Sequence, residues 1–158
     1  MAKGKPYDWT RFFLRIEIAA PPEKVYRAWT DGDFLAQWFS VRAAVEPKKG
    51  GRVYFEWLGG DKLETRVLQA RKPSLFRFPF GSHGEEVEVK IRQVPGGSVC
   101  ELQQTNMKTT PRMKVAMHMG CKTGWVFFLT NLKAFLEHGV DLRSHDPQKS
   151  YNQNYLNS

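Results

Sequence analysis

Four glutamates, two cysteines and four histidines are the residues of this chain whose types and spacing could carry out covalent or proton-transfer chemistry. Glu17, Glu56, Glu88 and Glu101 each sit in a strand-like stretch. Turned into a desolvated cavity, such a carboxyl would have a raised pKa and could act as a general acid; turned outward, it is a solvated surface charge. Glu88 lies on the face opposite Val87 and Val89, so strand register decides which side it occupies. Cys121 and His118 are three residues apart near a helix start, where a thiolate can be stabilised, but no third group completes a site. Cys100 and Cys121 otherwise read as two small buried hydrophobes. His83, His118, His138 and His145 give no pair with metal-ligand spacing, and no GxSxG elbow occurs. The expectation is a chain with no catalytic residue, no metal and no cofactor.

Binding chemistry is better represented, by rings. Phe55 and Trp57 share one strand-like stretch and Phe76, Phe78 and Phe80 another, with Trp38 upstream and Trp125 and Phe128 far downstream. Large rings that cannot interdigitate line a cavity, whereas rings that can interdigitate fill a core, and the residue types alone fit both outcomes.

The elements that must position these residues are readable from periodicity. Trp125, Phe128, Leu129, Leu132, Phe135 and Leu136 follow the spacing i, i+3, i+4, i+7, i+10, i+11, one face of a helix from about 122 to 138. Glu137-His138-Gly139 supplies the stop, with His138 suited to the negative end of the helix dipole. At the other end, Leu14, Ile16 and Ile18 alternate with Arg15 and Glu17 as in a half-buried strand. Pro22 can open a short helix carrying Val25, Ala28 and Trp29. Thr30-Asp31-Gly32-Asp33 breaks it and supplies capping oxygens for a second. Turn chemistry at 47–51, 59–61, 71–74, 81–84 and 95–97 then separates strands expected at 41–46, 52–58, 62–70, 75–80, 85–94 and 98–106. Short turns between consecutive strands mean an antiparallel sheet, about seven strands in all, with the long helix on its covered face. Residues 107–121 read as a loop, and 144–158 as a polar, flexible tail.

Composition bounds the rest. With 158 residues, 41% hydrophobic and 25% charged, the chain fits one soluble domain able to bury its own core. No apolar run approaches the roughly 18 residues of a membrane span and no secretory signal opens the sequence, so a cytoplasmic protein is expected. The formal charge of +8 is mostly scattered among acids, which argues against a nucleic-acid partner. The exception is the segment between Glu101 and Glu137, with Lys108, Arg112, Lys114, Lys122 and Lys133 and no acid.

Four stretches resemble a known family in their residues as well as their order. Ala20-Pro21-Pro22-Glu23-Lys24-Val25-Tyr26-Arg27-Ala28-Trp29-Thr30, then Leu35-Ala36-Gln37-Trp38-Phe39, then Gly50-Gly51-Arg52-Val53 are similar to the opening of bacterial START-like proteins related to the C-terminal domain of the activator of Hsp90 ATPase. The run Gly124 to Gly139 resembles the final helix of the same family, and the likeness spans roughly residues 12–143. The resemblance implies an α+β helix-grip fold (START/Bet v1-like, of the SRPBCC superfamily): a curved antiparallel sheet wrapped around a long C-terminal helix, with residues 1–143 as a single domain. It implies a space between helix and sheet that holds a small hydrophobic or amphipathic ligand, lipid- or polyketide-like, without covalent chemistry. The expected lining is Trp38, Phe55, Trp57, Phe76, Phe78, Phe80, Met117, Trp125, Phe128 and Leu129. Two alternatives come with the family: a protein-interaction role with an Hsp90-type chaperone, and a cyclase-like or hydrolase-like enzyme using pocket carboxylates. A homodimer and transient contact with anionic surfaces complete the expected partners.

Overall fold

The computed structural model describes residues 4–149 and Leu156. Strand β1 (Phe12–Ile18) buries Phe12 and Ile18 and half-buries Leu14 and Ile16, while Phe13, Arg15 and Glu17 face water, as its alternation dictates. Pro21-Pro22 ends it, and Pro22 opens α1 (Pro22–Thr30) at a position where a missing N–H costs nothing. Asp31 then caps α2 (Gly32–Leu35), its carboxylate accepting the N–H groups of Asp33 at 2.9 Å and Phe34 at 3.3 Å.

Seven further strands follow: β2 (Arg42–Val45), β3 (Arg52–Glu56), β4 (Lys62–Arg66), β5 (Gln69–Arg71), β6 (Leu75–Pro79), β7 (Glu86–Val94) and β8 (Gly97–Thr105). They form two antiparallel sheets, one of five strands in the order β1-β8-β7-β6-β5 and one of three in the order β2-β3-β4. The single strand expected over 62–70 is therefore two. Val67 donates its N–H to Gly51 O at 2.8 Å, and the next residue, Leu68, donates to Arg77 O at 2.9 Å. Successive N–H groups of an extended chain point to opposite sides, so two adjacent residues transfer the chain from one sheet to the other without a turn. Among the described residues the strands number eight rather than about seven.

The expected loop at 107–121 is largely helical. Thr110 Oγ1 accepts the Met113 N–H at 3.3 Å and Pro111 occupies the first helical position, which starts α3 (Pro111–Met113). A π-helical segment, Lys114–Met119, leads directly into α4 (Gly120–His138). The end of α4 falls where expected. Gly139 takes the left-handed conformation (φ 67°), its N–H on Phe135 O at 2.8 Å. Trp125, Leu129, Leu132 and Leu136 bury one stripe of α4 in a core shared with Trp29, Trp38, Phe39, Phe55, Phe76, Phe78 and Leu102.

Beyond α4 the chain turns back onto the protein. Asp141 accepts from Asn131 Nδ2 at 3.0 Å and from the backbone N–H of Arg143 at 3.1 Å. The Arg143 guanidinium reaches Ser40 O at 2.9 Å and Ala36 O at 3.1 Å. His145 bonds Asp141 at 2.9 Å; of the flexible tail expected from 144, residues 150–155, 157 and 158 lie outside the described residues. Among the described residues, no helix is long and apolar enough to cross a membrane.

Candidate functional site

Phe39, just past α2, is the centre of the site. Its ring stacks on Trp125 (5.2 Å between centroids, 12° between planes) and meets Phe128, Phe55 and Trp57 edge-on at 4.9, 5.1 and 5.4 Å. These rings come from α4, β3 and the residue after β3, so the cluster joins the smaller sheet to the helix. Two adjoining pockets open from it. The outer one, about 510 Å³, lies between the β3–β4 turn, the β6–β7 loop, Phe128 of α4 and the returning segment at 143–145. The inner one, about 230 Å³, reaches along the helix to Ala116, Gly120, Cys121 and Gly124. Both share Phe39, Trp57, Phe80 and Phe128 in their walls.

Side-chain hydrogen bonds fix the inner wall. Trp125 Nε1 donates to Gln104 Oε1 at 3.0 Å, and Gln104 Nε2 donates to Phe80 O at 3.3 Å, so one buried amide on β8 positions two lining residues. The β6–β7 loop is held by a buried carboxylate: Glu85 Oε2 accepts the His83 N–H at 2.8 Å, with His83 Nδ1 3.6 Å from its other oxygen. Gly81, at φ 135°, leaves the space that Glu85 occupies.

Of the ten residues expected to line a cavity, Trp57, Phe80 and Phe128 line both pockets and Trp125 lines the inner one. Trp38, Phe55, Phe76, Phe78 and Leu129 lie instead in the packed core; Trp38 is wholly buried with its Nε1 on Ala28 O at 2.9 Å. Met117 packs against that core and lines neither pocket. The difference is depth: alternation shows which face of a strand points inward, not how far along the strand the packing stops. The lining residues that pattern did not single out are Phe39, Leu58 and Leu63 around the outer pocket and the small residues Ala116, Gly120 and Gly124 around the inner one.

The groups considered for catalysis do not converge on this space. Glu88 pairs with Lys90 at 3.1 Å and Glu101 with Arg15, both opposite the buried faces of their strands, and Glu17 is exposed on β1. Glu56 also lies opposite the buried Val53 and Phe55, and the Tyr54 hydroxyl and the Arg42 guanidinium hold its carboxyl below the usual range. That is the reverse of what a general acid requires, so the pocket-carboxylate enzyme loses its candidate residues. Cys121 and His118 do not pair either. His118 turns away to bond Tyr7 Oη (2.7 Å) and Trp9 O (3.0 Å). Burial pushes the Cys121 thiol up, and pushes Cys100 up to about 12, so both are protonated at neutral pH. Among the described residues no cluster of three or more His, Cys, Asp or Glu could hold a metal ion.

A sheet gripped against a long C-terminal helix, with a ring-lined pocket where helix and smaller sheet meet, defines a helix-grip protein. The chain belongs to the family described as activator of Hsp90 ATPase homolog 1-like protein, whose pattern it matches over residues 19–137. Solved structures agree in fold. A Staphylococcus saprophyticus protein, SSP2350, is similar with a TM-score of 0.74 at 22% identity, over 84% of this chain and 96% of that one. The Aha1 dimer from Colwellia psychrerythraea has a TM-score of 0.70 at 25% identity, over 82% and 97%. DynU16, a protein in the dynemicin biosynthetic locus, has a TM-score of 0.70 at 21% identity, over 86% of this chain and 50% of that one. None of the curated proteins matches the chain.

Proposed function

We propose that this protein binds a small apolar or amphipathic ligand, lipid- or polyketide-like, in the pocket around Phe39, Trp57, Phe80 and Phe128, without covalent chemistry. The observation that carries the reading is the outer pocket of about 510 Å³, within the range of roughly 300–1,000 Å³ that small-molecule sites occupy. Its walls are ring faces and Leu58 and Leu63, which favour an apolar body. Its rim carries Asp61, Lys62, Ser82 and Ser144, which can solvate a polar end. Residues 1–143 act as one domain in this reading, and the unpaired cysteines suit a cytoplasmic location.

The experiment is native mass spectrometry of freshly purified protein, followed by thermal-shift screening of extracted and synthetic lipid- and polyketide-like compounds. A bound compound that raises the melting temperature of the wild type and not of Trp57→Ala, whose ring walls both pockets, supports the reading. No shift from any compound in a broad apolar set overturns it.

A second reading, a chaperone-interaction module, is favoured by family membership and by the dimer described for the Colwellia relative. It expects stimulation of the host Hsp90-type ATPase on adding the protein, and it fails if turnover stays unchanged and no complex forms in gel filtration.

A further inference from the structure

The helix that borders the pocket shows water a second face that the pocket does not use. Val115, Met119, Lys122 and Val126 follow one another at i, i+4, i+7 and i+11, a stripe along the continuous helical stretch from Pro111 to His138. Val115 is 64% exposed, Met119 52% and Val126 49%. The stretch of chain that carries this stripe, residues 102 to 136, contains Lys108, Arg112, Lys114, Lys122 and Lys133 and no carboxylate.

The N-terminal segment enlarges the same surface. Tyr7 and Trp9 meet edge-on at 4.9 Å, and both pack against His118, whose ring nitrogens bond Tyr7 Oη and Trp9 O. Lys114 Nζ stands 5.2 Å from the Trp9 ring centre and Lys122 Nζ 5.6 Å from that of Tyr7. The result is amphipathic rings fixed under cations, beside exposed aliphatic side chains. Asp8 pairs with Arg11 at 3.0 Å, and Glu137 with Lys133 at 2.8 Å, which leaves Lys108, Arg112, Lys114 and Lys122 as the cations of this surface.

We propose that this face docks on an anionic lipid bilayer. Headgroup phosphates and carboxylates would meet Lys108, Arg112, Lys114 and Lys122, while Val115, Met119, Val126 and the edge of Tyr7 enter the boundary between headgroups and acyl chains. A nucleic acid would use the cations and leave the aliphatic stripe in water. A folded protein would need a groove matching a convex helix, whereas a bilayer makes no such demand of shape. This docking face lies on the outer surface, apart from the pocket.

The test is co-sedimentation of the full chain with vesicles of phosphatidylcholine alone and of phosphatidylcholine mixed with phosphatidylserine. Association with the mixed vesicles is expected, falling as salt is raised. Lys114→Glu/Lys122→Glu is expected to weaken it by about tenfold or more, and Met119→Glu/Val126→Glu to weaken it comparably. Met119 and Val126 are exposed, whereas Lys114 and Lys122 are half-buried over the Trp9 and Tyr7 rings, so the melting of each variant is measured alongside and unchanged melting separates lost docking from lost folding. Gly124→Leu, aimed at the inner pocket, is expected to keep vesicle association, so a failed pocket and a failed docking face give different results. No association with the mixed vesicles at low salt overturns the proposal. So does equal association with the neutral vesicles, or charge-reversed protein that sediments like wild type. Salt-dependent binding to duplex DNA without vesicle association would also overturn it and assign the face to nucleic acid.

Discussion

At Gly124 helix stability and pocket volume pull in opposite directions. The residue sits inside α4, where glycine costs about 1 kcal/mol relative to alanine, yet a Cβ placed there would meet nothing within 4 Å because the inner pocket lies beside it. Gly124→Ala is therefore expected to raise unfolding free energy by about 0.5–1 kcal/mol in urea titration. Gly124→Leu should keep that gain and abolish binding of any compound that reaches into the inner pocket, a combination that general damage to the fold cannot produce. Cys121, in the wall of the same pocket, gives a second readout. Burial raises its pKa, so at neutral pH the protonated thiol should react slowly with a maleimide, and an occupied pocket should slow it further. Labelling followed by mass spectrometry checks this, with the wholly buried Cys100 as the internal control. Equal labelling of Cys121 with and without a compound that raises the melting temperature would place that compound elsewhere.

Among the elements, the segment returning after α4 has a stability that depends on pH through one carboxyl. Burial alone would raise Asp141, but hydrogen bonds from the Arg143 guanidinium and backbone N–H and from Asn131 outweigh it and hold the group down to about 2, from an ordinary 3.8. A depressed carboxyl stabilises the fold above its unfolded pKa and loses that contribution as pH falls through the folded one, so the effect is complete above about pH 4 and vanishes towards pH 2. Its size is about 2 kcal/mol at neutral pH. Asp141→Asn should cost up to that amount at pH 7 in urea unfolding, and the gap to wild type should close as pH is lowered from 4. A gap that stays constant would remove Asp141 as the anchor. Apart from the split at 62–70, the elements of the two sheets and the stripe of α4 were legible in the sequence because alternation and the 3.6-residue period record burial directly. This segment was not, since Asp141, Arg143 and His145 act through polar contacts that leave no period. The helical start at Thr110-Pro111 was obscured because the π-helical turn that follows interrupts the period. The transfer between sheets at Val67 and Leu68 carries no turn residue at all.

For the whole molecule, one ring cluster both closes the core and borders the pocket, so stability and binding are expected to separate along it by depth. Phe39 is 1% exposed and touches rings from the smaller sheet, the β6–β7 loop and α4. Removing it opens a cavity where these parts meet, and Phe39→Ala should cost about 3–5 kcal/mol. For a chain of this size that is a fall of roughly 10 °C in melting temperature. Trp57 is only half-buried and follows the last residue of β3, so Trp57→Ala should cost distinctly less while removing a wall that both pockets share. Ligand at about 100 times its Kd stabilises a native state by about 2.7 kcal/mol, which is roughly 5–10 °C here. Wild type should show that rise and Trp57→Ala should lose most of it, although it begins closer to wild type than Phe39→Ala does. Differential scanning calorimetry with and without a retained compound measures both quantities in one experiment. If Trp57→Ala keeps the full rise, the compound does not rest against the rings that the two pockets share, and the binding site must be sought away from Phe39.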